Sequence, residues 1–125
     1  MINTKRIYDP KEHPEGTRIL ITRKWPGGQK KDRFHEWIKD LSPDLDPLNK
    51  WNDSRKSEAD WKKYREKFLP QMKENQSSKI IEELRQRSKN GETITLLCYC
   101  NPGEHCHRYI IKSLIDGFNT VIESD

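Results

Sequence analysis

A predicted strand, a short loop and a predicted helix follow one another within residues 94–116, ITLLCYCNPGEHCHRYIIKSLID, and this stretch constrains the fold most. Residues 93–99 form an apolar, β-branched run that is too short for a helix and typical of a buried strand. From Arg108 to Asp116 the apolar residues recur at helical spacing, and Gly117 predicts the helix end. A strand that leads through a short loop into a helix directs free backbone N–H groups toward one point. We therefore expect chemistry at this junction.

Length and composition allow one domain with a small core. At 125 residues the chain is too short for two domains of ordinary size, and we treat residues 1–125 as a single domain. Only 31% of its residues are hydrophobic and 35% are charged, which predicts a heavily charged surface. Four Trp and four Tyr add large buriable area, and the net charge is only +4, so the composition favours folding over disorder.

The cysteines and the N-terminus indicate the cellular setting. All three cysteines lie within nine residues, a pattern typical of reduced thiols or metal ligands rather than of a disulfide framework. The start MINTKRIYDP has no apolar signal segment, and no run has membrane-spanning length. We therefore expect a cytoplasmic protein without a membrane partner. A pI near 9.0 permits an anionic small molecule or nucleic acid as partner without requiring either.

The remaining pattern predicts further strands and a first helix. Residues 17–23 are a nearly continuous apolar run, which predicts a strand buried on both faces, as in a parallel sheet. Residues 5–8 predict a short edge strand, and residues 120–123 a last strand. Helical spacing at residues 34–41 predicts a helix. Residues 42–57 are interpreted as an ordered loop, with a flexible insertion as the alternative.

Two longer helices carry start and stop signals. Ser57 and Asp60 form a capping pair for a helix with aromatic residues along one face. Pro70 is expected to kink or end that helix. A serine at residues 77–78 caps the next helix, and Gly91 ends it. The alternation of strands and helices predicts an α/β fold, a single layered domain with a small, mainly parallel sheet flanked by helices.

Several pieces of the chain resemble the YeaO-like family of domains of unknown function (DUF488), a group of small cytoplasmic α/β proteins. The matching pieces are KRIYDP, RILITRKWPGG, the DLSP turn, WKKYREKFLPQM and TLLCYC…EHCHR. The specific ones are Arg23-x-Trp25-Pro26 and Cys98…Cys106-His107-Arg108, and the latter is similar to the thiol-bearing branch of the family. Gly27 stands where the family pattern usually has an arginine. The family has no settled activity, so the resemblance implies the fold more than a function.

An anionic-ligand pocket between residues 23–28 and 98–108 is the first hypothesis. Arg108 lies in the first turn of the predicted helix, beside free N–H groups and the positive end of the helix dipole. If the two main strands are parallel neighbours, Arg23 reaches the same edge of the sheet, together with Trp25, Gly28 and His105. A guanidinium beside a helix start suits phosphate or carboxylate. The alternative is that the arginines pair with some of the 20 carboxylates.

A thiol-dependent enzyme is the second hypothesis. Cys106 lies near the helix start beside His107 and Arg108, so its pKa is expected to be lowered, and Cys98 offers another candidate thiol. A thiolate beside an anion site occurs in phosphatase-like and sulfur-transferase-like enzymes. The seven residues between Cys100 and Arg108 exceed the spacing of phosphatase loops. The alternative is that the cysteines are small buried hydrophobes.

Two further alternatives stay open. Cys98 and Cys100 point to one face of a strand, and with Cys106 and His107 they make a Cys₃His set for zinc, although the spacing is not that of a zinc ribbon. The basic residues around Trp25 make a plausible surface for nucleic acid in a non-catalytic binding module. The oligomeric state and any cofactor besides zinc are not indicated by the sequence.

Overall fold

The computed structural model of the chain describes residues 1–8, 16–23, 34–98 and 105–117. Its strands and helices are β1 (Ile2–Arg6), β2 (Thr17–Leu20), β3 (Glu36–Trp37), α1 (Leu45–Asp53), α2 (Glu58–Met72), α3 (Asn75–Lys89), β4 (Ile94–Cys98) and α4 (His107–Asp116), with a 3₁₀ turn at Lys39–Leu41. Across these ranges, no helix combines the length and the apolar character that crossing a bilayer requires. The strand predicted at residues 120–123 lies outside the described residues.

The sheet has the order β1-β4-β2-β3, and all its strand pairs are parallel. In the central pair Thr17 of β2 lies opposite Ile94 of β4, and Leu20 lies opposite Leu97. β1 lies at an edge and confirms the predicted edge strand, but it spans Ile2–Arg6 rather than residues 5–8. The predicted α/β fold with a parallel sheet is therefore confirmed, as is the parallel adjacency of the two main strands. Because their carboxyl ends meet at one edge, the segments that follow them emerge together.

Both faces of β4 are covered, and every one of its residues is buried. One face, which includes Ile19 and Leu96, belongs to the main core, and all four described helices contribute side chains to that core. The other face carries a smaller cluster of Ile7, Leu20 and Leu97, against which Phe34 and Trp37 pack. A strand buried on both sides explains the nearly continuous apolar sequence.

The helix predicted at residues 34–41 is wrong, because this segment adds a short strand to the sheet. His35 donates its backbone N–H to the carbonyl of Arg18 at 2.8 Å, and Ile38 donates to that of Leu20 at 2.8 Å. Trp37 packs in the smaller cluster, whereas Leu41 is buried in the main core. The apolar spacing therefore serves two clusters rather than one face of a helix.

The ordered loop predicted at residues 42–57 is also wrong, since most of it is α1. Pro47 lies in the first turn of this helix, where no backbone donor is needed for the helical ladder. Trp51 is buried, and its ring centroid lies 5.1 Å from that of Trp61 in α2. Helix packing through this contact outweighs the loop-like composition.

The capping pair of α2 and the glycine end of α4 are confirmed, whereas the serine cap of α3 is wrong. Ser57 Oγ accepts the backbone N–H of Asp60 at 3.2 Å, and Asp60 Oδ2 accepts that of Ser57 at 3.2 Å, which completes the capping box. Pro70 was expected to kink or end α2, yet the helix continues to Met72, with the proline in its last turn. α3 begins at Asn75, before the predicted serine cap. Gly117 ends α4 with φ of 84°, a left-handed conformation that favours glycine.

Candidate functional site

Cys98 ends β4 at the carboxyl edge of the sheet, and the backbones of both neighbouring strands hold it there. Ile7, which follows β1, donates its N–H to the Cys98 carbonyl at 3.0 Å. Ile21, which follows β2, donates to the Leu97 carbonyl at 3.0 Å. Hydrogen bonds thus continue past the assigned strand ends on both sides. The side chain of Cys98 is therefore attached to a backbone that the sheet holds in place, and the residue is buried.

Cys106 brings a second thiol to Cys98. It is the N-cap residue of α4, with an extended backbone at φ of −153° and ψ of 145°. Its Sγ lies 2.8 Å from the Sγ of Cys98, close enough for one sulfur to donate a hydrogen bond to the other. Both residues are almost fully buried, at 1% exposure for Cys98 and 2% for Cys106. The sheet and the helix thus present their sulfurs to each other.

His107 joins the two cysteines through its ring. Its Nε2 lies 2.7 Å from the backbone carbonyl oxygen of Ile21, which can only accept a hydrogen bond, so Nε2 carries the hydrogen. In the neutral ring Nδ1 is then the acceptor nitrogen, and this atom lies 3.7 Å from the Sγ of Cys106. The segment after β2 therefore selects the tautomer in which His107 can accept a proton or ligate a metal toward the thiols.

Arg108 holds its positive charge beside the sulfur of Cys98. Its Nη1 lies 3.3 Å from the Sγ of Cys98, and its Nη2 donates a hydrogen bond to the Tyr109 hydroxyl at 2.9 Å. Burial acts to lower the pKa of Arg108, but the Tyr109 hydrogen bond and the charges that Cys98 and Cys106 carry when they are ionised outweigh burial and raise that pKa. The guanidinium stays charged, and a cation at this distance favours the thiolate form of its sulfur partner.

We call Cys98, Cys106, His107 and Arg108 the thiol cluster. The structure brings together these four predicted site residues, three of which are consecutive around the start of α4. The cluster can ionise a thiol beside a fixed cation and can move a proton through Cys106 to the ring of His107. Tyr109 and the carbonyl of Ile21 support the cluster, and neither was identified from the sequence. Only the position of Tyr109 beside Arg108 could have signalled its role.

His105 was predicted to bind the ligand, and its described contacts are with α2 and with Trp51 of α1. Its Nε2 lies 2.8 Å from Oε1 of Glu58. Its ring stacks on Trp61, with centroids 4.7 Å apart and planes inclined by 13°. The side chain is 37% exposed, in contrast to the buried thiol cluster. His105 and His107 therefore leave the chain toward different neighbours, although only Cys106 separates them.

An aromatic row on α2 connects these two histidines. From His105 it passes to Trp61, then to Tyr64 at 4.9 Å, and then to Phe68 at 5.7 Å between ring centroids. Phe68 meets the ring of His107 edge-on at 5.9 Å. The helical spacing of the aromatic residues predicted one buried face of α2, but not that this face would position the segment carrying the cysteine. Packing of α2 thus supports the site directly.

Arg23, predicted to share an anion with Arg108, lines a different cleft. Its Nη1 donates to the carbonyl of Pro43 at 3.4 Å, and its side chain borders a cleft of about 640 Å³. Lys39, Lys73 and the first residues of α3 border the same cleft. The described contacts of Arg108 are instead with Cys98 and Tyr109. A shared anion stays a prediction.

Other predicted site residues fall outside the described ranges. Trp25 and Gly28 belong to the segment 24–33, and Cys100 belongs to the segment 99–104. The basic surface for nucleic acid was predicted around Trp25, so that hypothesis also stays a prediction. The Cys₃His zinc set is described only in the three members other than Cys100.

Three donor atoms of the thiol cluster could hold a metal ion. The Sγ atoms of Cys98 and Cys106 and a ring nitrogen of His107 all lie within 4.8 Å of one another, and all three residues are buried. Nδ1 is the available nitrogen, since Nε2 faces Ile21. Two thiolates on one tetrahedral zinc lie about 3.8 Å apart, whereas these sulfurs are 2.8 Å apart. Zinc binding would therefore require the sulfurs to separate by about 1 Å.

Comparisons with known proteins identify relatives of the chain. A family model described as the active DUF488-N3 subclade, DUF488-N3a, matches residues 2–117, which include the whole thiol cluster. The uncharacterised protein YeaO of Escherichia coli (strain K12) is 32% identical over 77 residues. That match covers 60% of this chain and 64% of YeaO, just under two thirds of its length. No solved structure matches significantly.

Proposed function

The chain belongs to the DUF488 family, in the subclade described as active, and we propose that it is a thiol-dependent enzyme acting on a small anionic ligand. The observation that carries the proposal is the contact of Arg108 Nη1 with the Sγ of Cys98 at 3.3 Å. In this proposal Cys98 is the nucleophile, and Cys106 and His107 accept the proton that leaves its thiol. The description of the subclade as active supports a catalytic role over a purely structural one.

The burial of Arg108 supports ionisation of Cys98. Arg108 as a whole is 2% exposed, and a buried charge is costly unless an opposite charge compensates it. The neighbouring groups that can carry such a charge are Cys98, Cys106 and Tyr109, whose ionised forms would raise the pKa of Arg108. A thiol ionises more readily than a phenol, with ordinary pKa values of about 8.5 and 10. A thiolate on Cys98, the thiol in direct contact, is therefore the favoured counter-charge.

The other two members of the cluster provide a route for the proton. Cys106 lies between the Sγ of Cys98 at 2.8 Å and the Nδ1 of His107 at 3.7 Å. A proton leaving Cys98 can therefore pass through Cys106 to a ring whose Nε2 is anchored on Ile21. The same imidazole can return the proton to a leaving group. This assigns catalytic roles to all three residues that the sequence suggested.

The start of α4 supports an anionic ligand. Its N-cap residue, Cys106, makes no side-chain capping hydrogen bond, so the first-turn N–H groups are not occupied by that side chain. The positive end of the helix dipole and the charge of Arg108 both favour an anion close to the thiols. Because Cys98 and Cys106 are buried, we expect a small ligand such as a phosphate or carboxylate.

A comparison of two alkylating agents of similar size tests the proposal. Iodoacetate is an anion and iodoacetamide is neutral, so a thiolate beside an anion site should prefer iodoacetate relative to free cysteine in the same buffer. We expect the ratio of the two rates to exceed that of free cysteine by about tenfold. Mass spectrometry should locate the label on Cys98, and millimolar phosphate should slow the labelling.

Matched variants make this result specific. Cys98→Ser should lose the rapid label, whereas Cys100→Ser should keep it. A rate ratio equal to that of free cysteine would argue against an anion site. Labelling confined to Cys100 would contradict the assignment of the nucleophile.

A metal site is the second candidate, and the close set of Cys98, Cys106 and His107 supports it. Two sulfurs and one imidazole nitrogen suit zinc, with a fourth position left for Cys100 or for a substrate. The hydrogen bond from His107 to Ile21 is the kind of second interaction that orients a metal-binding imidazole. We place this candidate second because the sulfurs lie 2.8 Å apart, closer than two sulfurs bound to one tetrahedral zinc.

A further inference from the structure

We propose that Cys98 and Cys106 are a modification site, at which hydrogen peroxide converts the two thiols into a reversible intramolecular disulfide. The inference deepens the proposed function, because the same Cys98 thiolate would be the nucleophile in both reactions. It makes the activity sensitive to oxidation. The experiment below reads the covalent state of the protein and needs no substrate.

The geometry of the two sulfurs carries the inference. They lie 2.8 Å apart, and a disulfide requires about 2.05 Å, so less than 1 Å of approach remains. Cys98 is held by the sheet through Ile7 and through the last residues of β4, and Cys106 is held as the N-cap of α4. Two ordered elements therefore keep the sulfurs in contact, and a disulfide can form without a large rearrangement of either element.

The contact with Arg108 selects the sulfur that reacts first. Arg108 lies beside Cys98 at 3.3 Å, and a thiolate rather than a thiol attacks a peroxide. Cys106 then provides the second sulfur at once. Both cysteines are almost fully buried, so hydrogen peroxide, the smallest of the common oxidants, should reach them more readily than a bulky disulfide does.

The reaction is balanced in two steps. The thiolate of Cys98 attacks one peroxide oxygen, the O–O bond breaks, and the products are a sulfenic acid on Cys98 and a hydroxide that takes a proton to become water. The thiol of Cys106 then attacks the sulfenic sulfur and forms the S–S bond, and the displaced oxygen leaves as a second water with the thiol proton. Together the two sulfurs lose two electrons, which the peroxide gains.

Oxidation would stop the proposed chemistry and would be reversed by a thiol reductant. The disulfide removes the thiolate of Cys98 and the thiol of Cys106 from the proton route. It would also remove the proposed thiolate 3.3 Å from Arg108, so the oxidised cluster would leave this buried guanidinium less well compensated. A reductant such as dithiothreitol should restore both thiols.

Peptide mapping of the full chain tests the pairing. After brief peroxide treatment, acid quenching and alkylation, a glutamate-specific protease cuts after Glu104 and so separates Cys106 from Cys98 and Cys100. We expect a cross-linked pair of peptides that has lost two hydrogens and that separates on reduction. Cys100→Ser should keep the cross-link, whereas Cys98→Ser and Cys106→Ser should both lose it.

The contrary outcomes are distinct. The inference is overturned if all three thiols remain alkylatable after peroxide, or if the cross-link disappears in Cys100→Ser. Circular dichroism checks each variant for folding, and Cys106→Ala replaces Cys106→Ser if the latter is unfolded. A missing cross-link with an intact preference for iodoacetate overturns this inference alone. A present cross-link without that preference overturns the proposed anion chemistry alone.

Discussion

The Nη1 atom of Arg108 lies 3.3 Å from the Sγ atom of Cys98, so the first turn of α4 holds a cation against the sulfur at the end of β4. Ten positions separate these residues along the chain. The contact forms because the sheet fixes one partner and the helix start fixes the other. It gives a physical reason for an arginine that directly follows Cys106 and His107.

Replacing Arg108 should slow the reactions of Cys98. Arg108→Gln removes the cation that favours the thiolate, so we expect alkylation of Cys98 at pH 7 to slow by about tenfold or more. Arg108→Lys keeps a charge but cannot contact Cys98 and Tyr109 together, so its alkylation rate should lie between those of the wild type and Arg108→Gln. Peptide mapping of iodoacetamide labelling measures the rates. Equal rates in Arg108→Gln and the wild type would show that the guanidinium does not activate this thiol.

Replacing His107 should separate its structural role from its chemical role. His107→Ala leaves the buried carbonyl of Ile21 without this donor, which should lower the free energy of unfolding by about 1–3 kcal/mol. His107→Gln provides an amide N–H for that carbonyl and should cost less, yet it lacks the imidazole that takes the proton from Cys106. Urea denaturation measures stability, and iodoacetamide labelling measures thiol reactivity. His105→Ala is the control, because its more exposed ring should contribute less to stability.

Metal content separates the two candidate functions. If the thiol cluster binds zinc, protein purified without chelator should retain about one zinc per chain after dialysis. Cys98→Ser and Cys106→Ser should each lose the metal, and Cys100→Ser tests the fourth ligand. Elemental analysis that finds far less than one zinc per chain rules out a tightly bound metal and leaves the thiol chemistry.

Acid should weaken an ion-pair network that joins α3 to the sheet. Arg87 donates to Glu92 at 2.6 Å and to Glu36 at 2.8 Å. The hydrogen bond from Arg87 lowers the pKa of Glu92 below its ordinary value of 4.5, against the opposing effect of burial. Since the folded pKa is the lower one, this stabilisation is complete above pH 4.5 and is lost as the pH falls through the folded value.

Glu92→Gln should therefore lower the free energy of unfolding at pH 7. In this variant the free energy of unfolding should also fall less steeply as the pH is lowered. The pair is partly exposed, so the loss should be about 1 kcal/mol or less. Urea denaturation from neutral pH down through pH 4.5 provides the comparison. Glu83→Gln, at an exposed position of α3, is the matched control and should follow the wild type. A variant at Glu92 with the same pH profile as the wild type would exclude this role for the network.

Phosphate binding tests whether Arg23 and Arg108 serve one anion. Millimolar phosphate should raise the Tm of the wild type by a few degrees, because a ligand that binds only the folded state stabilises it. Arg108→Ala should abolish the rise, and Arg23→Ala should reduce it. Arg55→Ala, at an exposed arginine outside both sites, should leave the rise unchanged. Since phosphate also stabilises proteins by exclusion, each variant is compared with the wild type in the same salt, and a full rise in both variants would refute a shared site.

Local signals were sufficient for much of the fold. The apolar run before Cys98 predicted a buried strand, and the spacing after it predicted α4 with its end at Gly117. Ser57 and Asp60 predicted the start of α2, where the capping box is present. These features depend on residues a few positions apart, so one sequence contains all the partners that decide them. The motifs shared with the YeaO-like family implied the same fold.

Other elements depended on distant partners. The segment at residues 34–41 has helical spacing, yet its edge position beside β2 makes part of it a strand. α1 forms where prolines and charges indicated a loop, because Trp51 packs on α2. In both cases contacts between elements outweigh local preference.

The sequence by itself determined that three cysteines, two histidines and an arginine gather between a buried strand and a helix, since these residues are adjacent along the chain. Only the tertiary structure decided how the two histidines differ. His107 reaches the carbonyl of Ile21, 86 positions away, whereas His105 stacks on Trp61. No local pattern distinguishes the two rings, because each orientation is set by a partner that only the folded chain brings near.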